Sequence, residues 1–316
     1  MKRVLSLALA LAMLFSLAAC SGAERRARVQ IVTTCFPLYD WTRSIVGDTS
    51  GVEITWLMDS GVDPHSFQPT VKDLTLVADA DLFVYVGGES DAWADDAAQE
   101  MKNPEAKVLP LLPQLSLALA EEAVPGAEPT EEEEDGALDE HIWMSLRAAA
   151  QCVDLICEAL CEIDSANDDI YRMNADDYKS LLGAVDQEYA EAVASSELDT
   201  ILVADRFPFR YLAADYGLHY FAAFAGCSAE TEASFATVLG LSKHVDELGL
   251  PVILVTENGT GDIAEAVSEG SESEPPVRTL DSLQSITAEI EAQGVTYLSV
   301  MESNLTVLKE ALRWHS

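Results

Sequence analysis

Asp81-Leu-Phe-Val-Tyr-Val-Gly-Gly88 decides the architecture. Its apolar residues run without alternation into a Gly-Gly stop, the pattern of a strand buried on both faces of a parallel sheet. Upstream, Arg28–Thr34 and Val52–Met58 also read as strands, the first being β-branched and alternating. A helix opens at Phe36, and another covers Thr70 to Asp79. Downstream, a helix carrying Trp93 precedes strand-like Lys107-Val-Leu-Pro-Leu-Leu112. Strand and helix in alternation predict an α/β fold, a parallel sheet with helices on both faces.

Residues 119–138 break the alternation. Glu121, Glu122, Glu128, Glu131 to Glu134 and Asp135 alternate with Pro125, Gly126, Pro129 and Gly136, the composition of a solvated acidic loop. Such a loop either collects cations beside a site or serves solubility. From His141 to about Leu160 the chain reads as helical. Ser165 or Asn167 then caps a second helix reaching Ser196, with apolar positions Ile170, Met173, Tyr178, Leu181, Leu182, Val185, Tyr189 and Val193. About 28 residues at about 1.5 Å each span some 40 Å, enough to cross a domain. The alternation restarts with strands at Thr200–Asp205, His219–Phe224, Val252–Glu257 and Val277–Leu280. Helices are expected at Ser234–Leu248, Asp262–Val267 and Thr296–Arg313. The expected organisation is a β/α domain over 28–165, a linking helix over 166–196 and a second β/α domain over 197–316.

The first 27 residues read differently. Lys2-Arg3 precedes an apolar run from Val4 to Ala19, shorter than the ~20 residues of a membrane span but suited to a secretory leader. It ends in Leu17-Ala18-Ala19-Cys20, which resembles a bacterial lipobox. This predicts a leader over 1–19, lipidation of Cys20, a tether over 20–27, and a protein anchored to the extracytoplasmic face of the cell membrane. An ordinary leader cut nearby is the other reading. The net charge of −37 repels nucleic acid and anionic lipid, while 49% hydrophobic residues leave enough apolar surface for a large core. Cys152, Cys157 and Cys161 do not share one helix face and make no zinc pattern. They read as small buried residues; Cys35 and Cys227 are isolated.

Two of the five His lie in similar loops, His65 in Val62-Asp-Pro-His-Ser-Phe-Gln-Pro-Thr70 and His141 in Asp139-Glu-His-Ile-Trp-Met-Ser145. His219, His244 and His315 read as structural. In open α/β sheets, ligands sit beyond the carboxyl ends of strands. His65 follows a strand, and Asp205 and Asp281 each end one. Two imidazoles and two carboxylates would suit a divalent ion in a cleft between the halves. An Asp after a strand is also an ordinary turn former or cap. A metallohydrolase would keep an open coordination position and a general base, and the sequence holds no His-Glu-x-x-His.

Gly61-Val-Asp-Pro-His65-Ser-Phe-Gln-Pro-Thr70 and Asp139-Glu-His141-Ile-Trp-Met-Ser145 resemble the two His loops of the metal-binding lipoproteins of ABC importers for zinc or manganese, the cluster A-I solute-binding family. Tyr85-Val-Gly-Gly-Glu-Ser-Asp-Ala-Trp93 and Thr296-Tyr-Leu-Ser-Val-Met-Glu-Ser-Asn304 are similar too. The resemblance covers the mature chain. It implies two β/α domains joined by a rigid helix, with a metal held between them by four side chains. It implies Zn²⁺, or Mn²⁺, as the transported ligand, an ABC permease as partner, a monomer, and a binding protein rather than an enzyme. An adhesin with the same fold is a further alternative. Asp281 matches the fourth ligand. The third is usually His or Glu, and counting back from Tyr211 lands on Arg206, which stays protonated and cannot ligate. A one-residue shift gives Asp205, with Glu230 or Glu232 as stand-ins. Affinity is expected to fall with pH through the ordinary imidazole value of about 6.5.

Overall fold

The protein is described here from a computed structural model covering residues 29–120, 123–127, 138–226 and 232–315. Cys20, the leader, the tether, Cys227, Glu230 and the Glu131–Asp135 run lie outside the described residues. Two four-stranded sheets are present, both parallel throughout. The first comprises β1 (Val29–Thr33), β2 (Val52–Trp56), β3 (Leu82–Tyr85) and β4 (Lys107–Pro110), in the order β2-β1-β3-β4. The second comprises β5 (Thr200–Phe207), β6 (His219–Ala225), β7 (Ile253–Val255) and β8 (Val277–Thr279), in the order β6-β5-β7-β8.

The lack of alternation in β3 has the expected cause. Leu82 and Val84 pack into an inner core, while Phe83 and Tyr85 pack outward with Val32, Ala94 and Ala97. Successive strand side chains point to opposite faces, so burial of both faces demands an unbroken apolar run. The second sheet repeats this, Ile201 and Val203 facing inward and Leu202 and Ala204 outward. The helices on these faces are α1 (Phe36–Val46), α2 (Val71–Ala78), α3 (Ala92–Gln99) and α4 (Leu146–Ile163) in the first half. In the second half they are α6 (Arg210–Tyr216), α7 (Phe235–Leu248), α8 (Asp262–Glu269), α9 (Ala288–Glu291) and α10 (Tyr297–Ala311). Neither α6 nor α9 was expected from the sequence.

Between the halves runs α5 (Asp168–Ala194), 27 residues long. Its buried stripe is Tyr171, Ala175, Tyr178, Leu182, Val185, Tyr189 and Ala192, stepping alternately four and three residues. That stripe faces a core shared by both halves. Three of the larger residues expected there, Ile170, Met173 and Leu181, are instead 41%, 58% and 55% exposed. Size misled the reading: two buried alanines, Ala175 and Ala192, belong to the stripe in place of these bulkier residues. The tyrosines bury their rings and place their hydroxyls. Tyr171 donates to Asp164 Oδ2 (2.8 Å) and Tyr189 to the Met301 carbonyl (2.6 Å).

The halves are tied on both sides of the helix. Tyr297 N donates to Asp40 Oδ2 (3.0 Å), and Ala288 N to the Asp59 carbonyl (2.8 Å). The acidic insert has a fixed neck, where Ala120 and Leu138 form an antiparallel bridge. The Tyr211 hydroxyl, from α6, accepts from Leu119 N (3.1 Å) and donates to the Asp139 carbonyl (2.9 Å). Within the insert, the Pro125 carbonyl accepts from Ala222 N on edge strand β6 (3.1 Å). Cys35, Cys152, Cys157 and Cys161 are buried free thiols. Burial pushes the Cys35 thiol up to about 12, so it acts as a small apolar filler. Among the described residues, no helix is long and apolar enough to cross a membrane.

Candidate metal centre

His65 and His141 meet. Their Nε2 atoms lie 3.1 Å apart, with ring centroids 5.1 Å apart and planes at 55°. Each imidazole is set by an aspartate two residues earlier. Asp63 Oδ1 accepts from His65 N (3.0 Å) and caps the short turn Pro64–Ser66. Asp139 Oδ1 accepts from His141 N (2.9 Å) and lies 3.0 Å from its Nδ1. His141 is not in the helix expected there; it precedes the turn Ile142–Met144, and Ser145 caps α4.

The partners of the outer nitrogens favour one tautomer of each ring. His141 Nδ1–H points at the Asp139 carboxylate. His65 Nδ1 sits 2.7 Å from Ser90 Oγ and 3.9 Å from Glu140 Oε2, and Ser90 N is itself held by Glu140 Oε1 (2.8 Å). A carboxylate behind each ring favours the proton on Nδ1 and leaves a lone pair on both Nε2 atoms. Two lone pairs facing each other repel unless something accepts both. Two nitrogens on one tetrahedral Zn²⁺, at about 2.0–2.1 Å each, stand about 3.3–3.4 Å apart. The observed pair is close to that spacing.

The electrostatics agree. Burial, then the neighbouring His141 ring, pushes His65 down to about 4, so it stays neutral through the physiological range. Burial pushes the Asp139 carboxyl up, but the His141 ring and its hydrogen bonds outweigh this and leave it below the usual range. Asp139→Asn is therefore expected to weaken metal affinity by about 10–100-fold by freeing the His141 tautomer. Competition titration reads this directly, and unchanged affinity would remove Asp139 from the site.

The second half contributes the segment after β8. Asn304 clamps the backbone of Asp281, its Oδ1 accepting from Asp281 N (2.9 Å) and its Nδ2 donating to Asp281 O (2.7 Å). Glu257, just beyond β7, accepts from Ser282 N (2.6 Å), Ser282 Oγ (2.8 Å) and Gln284 N (3.1 Å). Leu283 between them adopts φ +62°, a strained conformation for leucine, held by its N–H to Asp281 Oδ1 (2.7 Å). The result brings Gln284 Nε2 within 3.4 Å of His65 Nε2. Burial, then the Glu257 carboxylate, pushes Asp281 up to about 7. A divalent cation nearby would relieve that charge.

Asp205 is not brought to the pair. β5 shifts register between Val203 and Arg206, and such irregularities re-aim side chains. Asp205 Oδ2 accepts from Thr256 N (3.1 Å) and Thr256 Oγ1 (2.6 Å), and Oδ1 from Arg206 N (2.8 Å). Arg206 faces the site instead, its Nη1 reaching Asp63 Oδ2 (2.9 Å). Glu232 is exposed. Among the described residues, no three His, Cys, Asp or Glu side chains are gathered closely enough to hold one ion. The remaining histidines lie elsewhere: His244 stacks on Phe221 (3.9 Å), His315 pairs with Glu197 (2.8 Å), and His219 is exposed.

Sequence reasoning missed Asp63, Asp139, Glu257 and Gln284. The first two had a signal in the repeated Asp-x-His; Glu257 ends a predicted strand; Gln284 had none.

Residues 31–311 match the family described as "Zinc-uptake complex component A periplasmic". The chain is 30% identical over 319 residues to the zinc-binding lipoprotein AdcA of Streptococcus pneumoniae serotype 4, covering 98% of this chain and 61% of that one. It thus spans about three-fifths of that relative's length. It is 28% identical over 302 residues to the high-affinity zinc uptake system protein ZnuA of Bacillus subtilis, covering 92% and 90%. Among solved structures, the Zn(II)-bound ZnuA-like domain of S. pneumoniae AdcA superposes with a TM-score of 0.73 at 28% identity, covering 90% of this chain and 98% of that chain. The laminin-binding protein of Streptococcus agalactiae, described as having adhesin and metal transporting activity, superposes with a TM-score of 0.72 at 25% identity, covering 90% and 99%.

Proposed function

The chain belongs to the family of periplasmic zinc-uptake complex component A, and from that premise we propose that it captures Zn²⁺ outside the membrane and hands it to an ABC permease. The observation carrying this is the facing pair of His65 and His141 Nε2 atoms at 3.1 Å, each ring backed by an acidic side chain. It is a binding protein, and zinc is its cargo. His65 and His141 supply two nitrogens. Asp281, raised by its own burial and then by the neighbouring Glu257 carboxylate, is the carboxylate that closes on the ion from the second half. Asp205 serves as a structural carboxylate that joins β5 to β7. Imidazoles suit zinc well, and zinc outcompetes manganese at most nitrogen-containing sites. Cys20 carries the lipid anchor, and the protein acts as a monomer on the extracytoplasmic face.

The test is metal content plus competition titration of the purified chain, with Zn²⁺ and Mn²⁺ in the same assay. One tightly held Zn²⁺ per chain is expected. Absence of uptake, or displacement of zinc by equimolar Mn²⁺, would overturn the assignment.

A pH series isolates Asp281. Its folded value of about 7 means a proton is bound to the free protein below that pH and must leave when the ion binds. Zinc affinity should then fall about tenfold per pH unit below 7 from this group alone. The His65 contribution appears only towards its value of about 4, well below the ordinary imidazole range. Asp281→Asn should bind more weakly at pH 7.5 and lose the Asp281 part of the slope. Equal slopes in the two proteins would exclude Asp281 as a ligand.

A further inference from the structure

We propose that Arg206 and Asp63 form a latch across the cleft, positioning His65 and setting how firmly the ion is retained. This rests on the zinc-binding reading for its consequence, though the latch itself is an ion pair within the chain. Asp63 precedes His65 in the first half, and Arg206 lies near the end of β5, 143 residues away. One Asp63 oxygen accepts from His65 N (3.0 Å), and the other accepts from Arg206 Nη1 (2.9 Å). A single carboxylate thus orients the His65 turn and joins it to the opposite half.

The base of this loop is already tied down. Ser60 bridges Thr287, and a Cβ on Gly61 would lie 2.7 Å from the Ser285 carbonyl. Beyond Gly61, the latch is the backbone-orienting tie between the His65 turn and the second half. The ring makes its own contact through Gln284.

The choice of arginine has an electrostatic consequence. A guanidinium is always charged and, held beside the His65 turn through Asp63, repels other positive charge there. A divalent cation on His65 Nε2 would feel the same repulsion. Asp63 neutralises it, with both side chains only 17% and 23% exposed. Asp63 therefore has two effects that separate by substitution. Asp63→Asn keeps an oxygen to accept from His65 N but breaks the ion pair across the cleft and unmasks the guanidinium. Arg206→Gln also breaks the tie to the opposite half but removes the positive charge. The ion should consequently suffer more from losing Asp63 than from losing Arg206, although they are partners in one ion pair.

The experiment is a double-mutant cycle read by zinc competition titration at pH 7.5, with hydrogen exchange of the metal-free proteins over the 61–68 segment. Asp63→Asn should weaken zinc binding by about 10–100-fold, the range for residues that orient a metal ligand. Arg206→Gln should weaken it less. The double variant should bind better than Asp63→Asn alone, and the coupling should amount to about 3- to 30-fold. Arg206→Lys, which keeps the charge, should retain most of the affinity. Exchange in the segment should quicken in both single variants without metal. Independent, multiplying effects in the cycle, or unchanged exchange, would overturn the latch. Failure of the wild-type chain to take up zinc would instead overturn the functional reading, and the exchange arm would still decide whether the latch exists.

Discussion

Replacing His141 by alanine is expected to abolish tight zinc binding, lowering affinity by more than the roughly 100-fold that loss of an orienting neighbour can cost. The imidazole is fully buried, held by Asp139 on one side and set edge-on against Trp143, with ring centroids 5.4 Å apart. A Cβ on Gly226 would lie 2.9 Å from its Cε1, so the ring is enclosed from the second half as well. No third histidine can take its place, because His219 is exposed, His244 stacks on Phe221 and His315 pairs with Glu197. The alanine variant also leaves the buried Asp139 carboxylate without its ring partner, which costs stability as well as affinity. His141→Gln, closer in volume and still able to pair with Asp139, separates the two. It should fold like the parent and still fail to hold zinc. Parental stoichiometry and affinity in either variant would place the ion elsewhere.

The second large effect is on stability. Trp143→Ala should destabilise the fold by about 3–5 kcal/mol, the usual cost of truncating a buried tryptophan. Trp143 is 2% exposed. Its Nε1 donates to the Ser282 carbonyl (2.8 Å), and its own carbonyl accepts from the Tyr297 hydroxyl (2.7 Å). The indole is thus a strut between the His141 loop and the segment that carries Asp281 and Gln284. Trp143→Phe keeps most of the volume and loses only the N–H bond, so its cost should be nearer 1 kcal/mol. Denaturant unfolding of the metal-free proteins measures both. A loss below about 1 kcal/mol for the alanine variant would mean the site relaxes around the gap and the strut is not needed.

Much of this architecture is legible in the sequence because it depends on local patterns. The unbroken run at Asp81–Gly88 fixes a strand with two buried faces. A long stretch with one Gly and no Pro up to Ser196 fixes the helix between the halves. The stripe on that helix was read only in part, because Ala175 and Ala192 are buried yet too small to draw notice. The short helix Arg210–Tyr216 was missed because seven residues opening with Arg give little periodicity.

The site divides in the same way. His65 and His141 stood out because their loops are similar in make-up, and in the structure each proves to be a local turn in which an aspartate accepts the backbone N–H. Asp205 and Arg206 are adjacent on a strand, where a shift of one residue exchanges the two faces. The register irregularity that settles their directions arises from pairing with β6 and cannot be seen in the strand alone. Glu257, Asn304 and Gln284 act through partners 23 to 219 residues away. Their roles depend on tertiary structure.

The neck of the acidic insert has a consequence for how such a chain can change over generations. With Leu119 and Asp139 both fastened to the Tyr211 hydroxyl, and Ala120 bridged to Leu138, the loop is closed at its base. Closing a loop costs only about 0.6 kcal/mol more for each doubling of its length. Residues between the fastened points, apart from the stretch that Pro125 ties to Ala222 N, can therefore be added, lost or recoded for charge at little thermodynamic penalty, while the two residues leading to His141 keep their place. Mutational drift is thereby admitted in the insert and shut out of the ion's coordination, two positions beyond the knot.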